Sequence, residues 1–354
     1  MNTKKNPLKK LTRKQFIRLS AAGAAGLLTA CQSAPSGSAD TPASASGSAA
    51  GAPQRKELMR IYPDVPSRVV HTRGEGVWEG DALSPAVLRR MLDASITRLT
   101  GLNDAREAWA ALFSPDDRIA IKVNAFRNSL IWTHVPLAMA VTDSLLAAGI
   151  PADRITLTDY YTTELETAGF PVNRDGPGIR CYGADSGYQE SVTVDGADLK
   201  LNPVIADCTA LINMPVLKSH MITGITFAMK NHFGSMNAPE VLHNPAWTKM
   251  AAVNALPQIK DRTRLIVGDV LEANLEYAGY YPYWKADYRG DSILVSFDPV
   301  AHDAVGLDIL TKLLAGKGKN VSLLDSANRC LASGAELGLG TDKAENMELV
   351  EASA

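Results

Sequence analysis

The sequence predicts an α/β protein with a mostly parallel sheet and crossover helices, arranged as one large domain or two closely packed subdomains. Two observations carry that expectation. Short apolar, β-branched runs alternate with segments of helical periodicity, the pattern made by parallel strands joined through helices. No fixed-period repeat runs through the chain, which sets solenoids and propellers aside. Residues 57–354 supply the length that such a core requires.

The chain begins with a different kind of segment. Residues 1–30 carry Lys4, Lys5, Lys9, Lys10, Arg13, Lys14 and Arg18 and no acidic residue, followed by a modestly apolar run from Leu19 to Ala30. That composition is an export signal. Thr12 to Arg18 resembles the twin-arginine pattern, with Lys14 where the second arginine would stand, and the weakly hydrophobic Ala/Gly run favours the same route. Leu28-Thr29-Ala30-Cys31 reads as a lipoprotein cleavage box, which would make Cys31 a lipidated membrane anchor. An ordinary signal peptide cleaved nearby is the alternative. Residues 31–56 are rich in Ser, Ala, Pro and Gly and cannot bury enough surface to fold, so they read as a tether. The expected location is the periplasm or cell surface.

Along residues 57–354 the elements follow in order. Arg118 to Asn124 reads as a strand, and Val135 to Ala148 as a helix with Thr133 at its N-cap and Gly149 closing it. Arg154 to Thr158 is the next strand, with a short helix from Thr163 to Ala168. Thr209 to Asn213 and Arg264 to Gly268 are short buried strands. Ser292 to Phe297 leads into a helix from Pro299 to Leu314, with Asp298 as its N-cap.

Polar residues at the strand ends acquire an address from this layout. Asn124, Asp159, Asn213 and Asp269 each follow an apolar strand, where an open α/β sheet forms its ligand crevice. Each alone is equally a turn or cap residue. Pro215 to Gly234 is the densest segment: two lysines, two histidines and two threonines lie among apolar residues. A buried element carries that many polar groups only if each is bonded or paired, so the segment reads as a site. Thr223 or Thr226 would cap a helix carrying Phe227, Lys230 and Asn231, placing the lysine and a hydroxyl on one side. Lys218, His220 and Lys230 would then meet at one anionic or carbonyl group, with His220 as the acid/base candidate and a desolvated lysine as a nucleophile. His232 and His243 are candidates for a metal, set against a structural role. Asp298 and His302, four apart, could bind a metal or form a cap and an i,i+4 pair.

Charge and cysteines narrow the partners. With the seven leader cations set aside, 29 basic residues face 38 acidic ones, a net of −9, which argues against nucleic acid. Cys181, Cys208 and Cys330 follow Cys31 at scattered positions with no iron–sulfur or zinc spacing. One disulfide among them is compatible with an oxidising compartment, but scattered single cysteines more often pack as small buried apolar groups. No other run reaches the length of a membrane span.

Several motifs together resemble the bacterial and archaeal family called domain of unknown function 362. They are Lys122-Val123-Asn124, Asn213 to His220, Thr223 to Thr226, Lys230 to Gly234, Asp298 to Val305 and Glu336 to Gly340. The resemblance runs from about residue 68 to 350. It implies an α/β fold. Some members append an iron–sulfur domain, which implies redox work with a partner protein, but this chain lacks the cysteines for it. A second similarity is to the nickel-pincer lactate racemase family, in which a histidine stands ten residues before a cofactor-anchoring lysine. His220 and Lys230 show that interval, and His243 follows thirteen later. The glycine-rich stretch between the two is largely replaced, and Tyr160 and Tyr161 stand after Asp159 where a histidine would be. This similarity implies a metal ion or a lysine-anchored cofactor; the strand-end residues Asn124, Asp159 and Asp269, with Asn231, Thr223 and Thr226 of the dense segment, are the residues expected around a bound group.

The expected function is an exported, cofactor- or metal-dependent enzyme, with redox chemistry among its options, acting on a small anionic or carbonyl-bearing molecule. A lipid-anchored binding protein that clamps an anion without turnover is the alternative.

Overall fold

The computed structural model describes residues 67–354, within which ten strands form one mixed, mostly parallel sheet. The expected export signal, Cys31 and tether lie outside the described residues. The strands of the sheet and two small ribbons follow in chain order. β1 is Ser67–Arg73, and β2 (Trp78–Glu79) with β3 (Ala82–Leu83) makes the first ribbon. β4 is Ile119–Lys122, β5 Ile155–Thr158 and β6 Arg180–Cys181. β7 (Ser191–Val194) and β8 (Ala197–Lys200) form the second ribbon. β9 is Ala210–Asn213, β10 Val216–His220, β11 Gly224–Thr226, β12 Thr263–Asn274, β13 Tyr288–Ser296 and β14 Met347–Ser353. The sheet order is β14-β1-β13-β12-β9-β4-β5-β6, with β10 branching from β12 and β11 pairing β10.

Parallel pairing joins β12, β9, β4, β5 and β6, and also β10 to β12. The carboxyl ends of these strands therefore share one edge. Antiparallel β13 and β1 complete the other half. Both faces are covered, which explains why the central strands read as unbroken apolar runs. On one face Ile119, Ile121 and Ile212 pack with Leu88 and Met91 of α1 (Pro85–Thr100), Trp109 of α2 (Ala105–Leu112) and Val141 of α3 (Val135–Ala147). Their neighbours Ala120 and Leu211 turn to the opposite face, as strand alternation requires.

Further helices complete the layers: α4 is Thr162–Thr167, α5 Pro203–Asp207, α6 Ala228–Asn231, α7 Ala246–Ala255, α8 Pro257–Lys260, α9 Pro299–Gly316 and α10 Asp325–Glu336. Asp298 caps α9 as its sequence position implies, accepting the N–H groups of Val300 and Ala301 at 2.8 Å each. Its second oxygen accepts Thr341 N–H at 2.9 Å, and a Cβ at Gly340 would sit 1.7 Å from this carboxylate. That contact requires glycine.

The α3 cap departs from expectation. His134 occupies the N-cap, while Thr133 accepts Asn124 N–H at 2.8 Å and donates to the Met214 carbonyl at 2.7 Å. Thr133 thus ties β4 to β9 at the carboxyl edge instead of starting a helix. β12 extends six residues past its expected end at Gly268 because β13 and β10 both pair with it there.

Candidate functional site

The segment after β9 folds as a hairpin and a short helix. Lys218 pairs with Thr226 and His220 with Gly224, so the three side chains share one face of the β10–β11 hairpin. The expectation that Thr223 or Thr226 caps a helix is therefore corrected. Phe227 is the residue preceding α6, and Thr223 donates its hydroxyl to Ile225 O at 2.8 Å. The cause is Gly224, whose φ of +71° lets the chain reverse and return its backbone bonds to β10. The Thr226 hydroxyl is buried and has no partner among the described residues.

Helix α6 carries Lys230 and is held from three sides. Asp303 of α9 accepts Ala228 N–H at 2.6 Å and Met229 N–H at 3.0 Å. Asn213 donates to Ala228 O and Asn254 to Met229 O, each at 2.8 Å. The site lysine is thus fixed by groups on β9, α7 and α9.

The strand ends converge on this helix. Asn231 donates to Asn213 Oδ1 at 2.7 Å and accepts from Asn124 Nδ2 at 3.1 Å. Lys218 donates to Asn124 Oδ1 at 2.6 Å and to Ile131 O at 3.1 Å. Lys122 pairs with Asp159 at 2.6 Å, and Asp159 also accepts Ala125 N–H and Tyr160 N–H. Asp269 accepts from His134 through backbone N–H and ring Nδ1 at 2.9 and 2.8 Å. Asn124, Asp159 and Asn213 stand at or just past the carboxyl ends of their strands, whereas Asp269 lies within β12, which continues to Asn274.

Charge at this edge is unbalanced. Lys122 has a carboxylate, but Lys218 has only neutral acceptors, and Lys230 has no hydrogen bond or ion pair among the described residues. The Lys230 amine lies 4.9 Å from the Phe233 ring centroid. Lys230 is 8% exposed and Lys218 1%. Burial, which disfavours the ammonium form, lowers the Lys230 pKa to about 8. Burial, reinforced by Lys230, lowers that of Lys218 to about 7.

Backbone partners set the tautomers of the two nearby histidines. His220 Nδ1 accepts the N–H groups of Ile222 at 3.1 Å and Thr223 at 3.3 Å, so its proton resides on Nε2. Desolvation and Lys230 hold this ring neutral. His220 is thereby held as the neutral Nε2–H tautomer. His243 is the reverse case: Nδ1 donates to Pro239 O at 3.0 Å, which leaves the Nε2 lone pair free. The rings stand 5.7 Å apart. Burial, with Lys230, lowers the His243 pKa to about 4.

The other candidates lie elsewhere. His232 is buried against Ser235 and lines a cavity of about 310 Å³ with Asn213, Asn254, Lys260 and Thr263. Asp298 is engaged in its cap. His302 packs 4.3 Å from Phe227, and its Nε2 faces Gly268 inside the core. His243, His232, Asp298 and His302, each a candidate metal ligand, are not brought together as one ligand set. Among the described residues no three His, Cys, Asp or Glu side chains are grouped to hold a metal. Cys181, Cys208 and Cys330 are buried free thiols.

Several contributors escaped the sequence reading. Lys122 reads as part of a strand and of the Lys122-Val123-Asn124 motif but not as a site residue, although a lysine ending an apolar run is a usable signal. Trp284 packs 5.7 Å from His220 and 5.2 Å from the Lys218 amine, and Tyr277 lies 5.5 Å from His220. Nothing local marked either. Glu164, beside Asp159, is pushed up to about 7 by burial and by that carboxylate.

The fold is that of an α/β protein whose parallel strands carry buried amines at their carboxyl edge. The family model for a domain of unknown function (DUF362) matches residues 119–308, and the chain belongs to that family. No curated protein matches it. Among solved structures, it is similar to a protein from Thermotoga maritima, with 10% identity and a TM-score of 0.38. The match covers 73% of this chain and 60% of that one. It is also similar to the lactate racemase apoprotein from Thermoanaerobacterium thermosaccharolyticum, with 12% identity and a TM-score of 0.31, over 60% and 52% of the two chains. The chain thus spans between half and two thirds of the length of those proteins.

Proposed function

We propose that this chain is an exported, membrane-anchored enzyme that acts on a small anionic, carbonyl-bearing molecule through the Lys230 amine. The observation that carries the reading is the buried Lys230 amine without a counter-charge among the described residues, near enough to His220 and His243 that its charge, with burial, lowers the pKa of both rings. Export and anchoring are supported by the leader, Cys31 and the tether.

At a pKa of about 8, roughly a tenth of Lys230 is neutral at pH 7, against about three in ten thousand for an ordinary lysine. The neutral amine adds to the carbonyl carbon. A C–N bond forms as the C=O π pair moves to oxygen, where His220 Nε2–H donates to it. The first proton lost from the amine passes through His243 Nε2 to the alkoxide oxygen, and that oxygen then leaves as water with the second amine proton, which gives a neutral imine. Lys218 supplies positive charge for the substrate's anionic group. The same amine and the His243 Nε2 also fit a lysine-anchored, metal-bearing cofactor, Lys230 holding its acyl group and His243 ligating its metal; such a group would supply hydride or proton transfer at the substrate carbon.

Borohydride trapping tests this reading. The full chain is incubated with pyruvate and sodium borohydride, then mapped by peptide mass spectrometry. A reduced adduct on Lys230 that is lost in Lys230→Arg is expected. Labelling confined to surface lysines would contradict it and favour an anion clamp without covalent chemistry.

A further inference from the structure

Exposed apolar side chains gather on loops next to the site. Large apolar side chains are exposed at twelve described positions, and six of these sit on three loops that meet at His220 or at Trp284, which packs on it. Met221 (59% exposed) and Ile222 (41%) form the turn directly after His220. Tyr280 (73%) and Tyr281 (66%) project from the β12–β13 loop, which also carries Trp284. Phe126 and Leu130 come from the loop after β4, where Leu130 N–H donates to Trp284 O at 2.8 Å and the Phe126 ring lies 6.0 Å from that of Trp284. Val241, two residues before His243, is exposed as well.

An apolar collar around a cationic centre has the polarity of an amphiphile in reverse. Scattered apolar residues on a surface need no explanation, but six of them on three adjoining loops do. We infer that the substrate is a single amphiphilic molecule, whose anionic carbonyl head reaches Lys218 and Lys230 while an unbranched apolar chain lies on this collar. The inference rests on the proposed anion- and carbonyl-directed site and names its substrate class. Charge complementarity selects the occupant: two amines lacking counter-ions call for an anion, and the collar calls for a tail contiguous with it.

A chain-length series tests it. Binding of 2-oxobutanoate, 2-oxohexanoate and 2-oxooctanoate to the full chain is measured by calorimetry, each below its micelle concentration. Affinity is expected to rise by about twofold to fourfold for each added methylene, the range from partial to full burial. In the variant Met221→Ser/Tyr280→Ser/Tyr281→Ser the slope should fall below about twofold for each methylene, and Tyr281→Ser alone should lower it by a smaller amount. Equal affinity along the series would overturn the amphiphile while leaving the head-group site intact. A slope unchanged in both variants would overturn the collar as the tail's seat. Tighter binding to phosphatidylglycerol vesicles, without any chain-length dependence for the oxoacids, would make the collar a membrane contact and overturn the inference. Failure of every acid to bind would sink both this inference and the site reading beneath it.

Discussion

The carboxylate of Asp303 accepts the amide hydrogen of Ala228 at 2.6 Å, and through it α9 fixes the first turn of the helix that carries Lys230. Its other oxygen takes Met229 N–H at 3.0 Å, and the residue is fully buried. Asp303→Ala leaves two buried donors unmatched and is expected to cost about 2 to 4 kcal/mol in urea unfolding. Asp303→Asn, which keeps one acceptor, should cost less. Both should slow pyruvate trapping at Lys230, and normal trapping in a destabilised Asp303→Ala protein would separate the cap from the site.

Lys122 and Asp159 form a buried pair at 2.6 Å. Asp159→Asn strands the lysine charge and should destabilise by about 3 to 5 kcal/mol. Adding Lys122→Met removes that stranded charge, so the double variant is expected to be more stable than Asp159→Asn alone. Additive losses in the double-mutant cycle would show that the two groups are not coupled.

The low folded pKa of Lys230, about 8 against the ordinary 10.5, means that the folded protein binds this proton less tightly than the unfolded chain. The resulting penalty is full below pH 8 and fades as pH rises toward 10.5. Lys230→Met is therefore expected to be more stable than the parent by about 2 to 3 kcal/mol at pH 6 to 7. The gain should shrink between pH 8 and 10.5. A pH-independent difference would place the charge in solvent.

His220 acts here as a neutral Nε2–H donor. A donor-preserving His220→Gln should keep part of the trapping rate, whereas His220→Ala should lose about 10²-fold or more, the usual cost of a lost oxyanion donor. The parent's rate profile should show no inflection near pH 6.5. An inflection there that His220→Gln abolishes would restore the titrating role.

Much of the sheet was legible because strands buried on both faces write themselves as short apolar runs, as in Ile119 to Lys122 and Ala210 to Asn213. Asn124, Asp159 and Asn213 followed from strand ends, while Asp269 did not, because β12 runs on past it to Asn274. What escaped depends on distant pairing. The β10–β11 hairpin reads locally as a helix start, since Thr223 and Thr226 have helical spacing, and only pairing with β12 makes β10 a strand. The parallel pairing of β14 with β1, some 280 residues apart in sequence, has no local trace. The histidine roles also depend on backbone partners, because composition cannot say which ring nitrogen faces an N–H and which a carbonyl.

The most direct test is the pH dependence of Lys230 acylation by acetic anhydride, followed by peptide mass spectrometry and scaled to exposed lysines of the same chain. A midpoint near pH 8 is expected from the buried, unpaired amine. A midpoint above pH 10, or an amine inert at every pH, would contradict it.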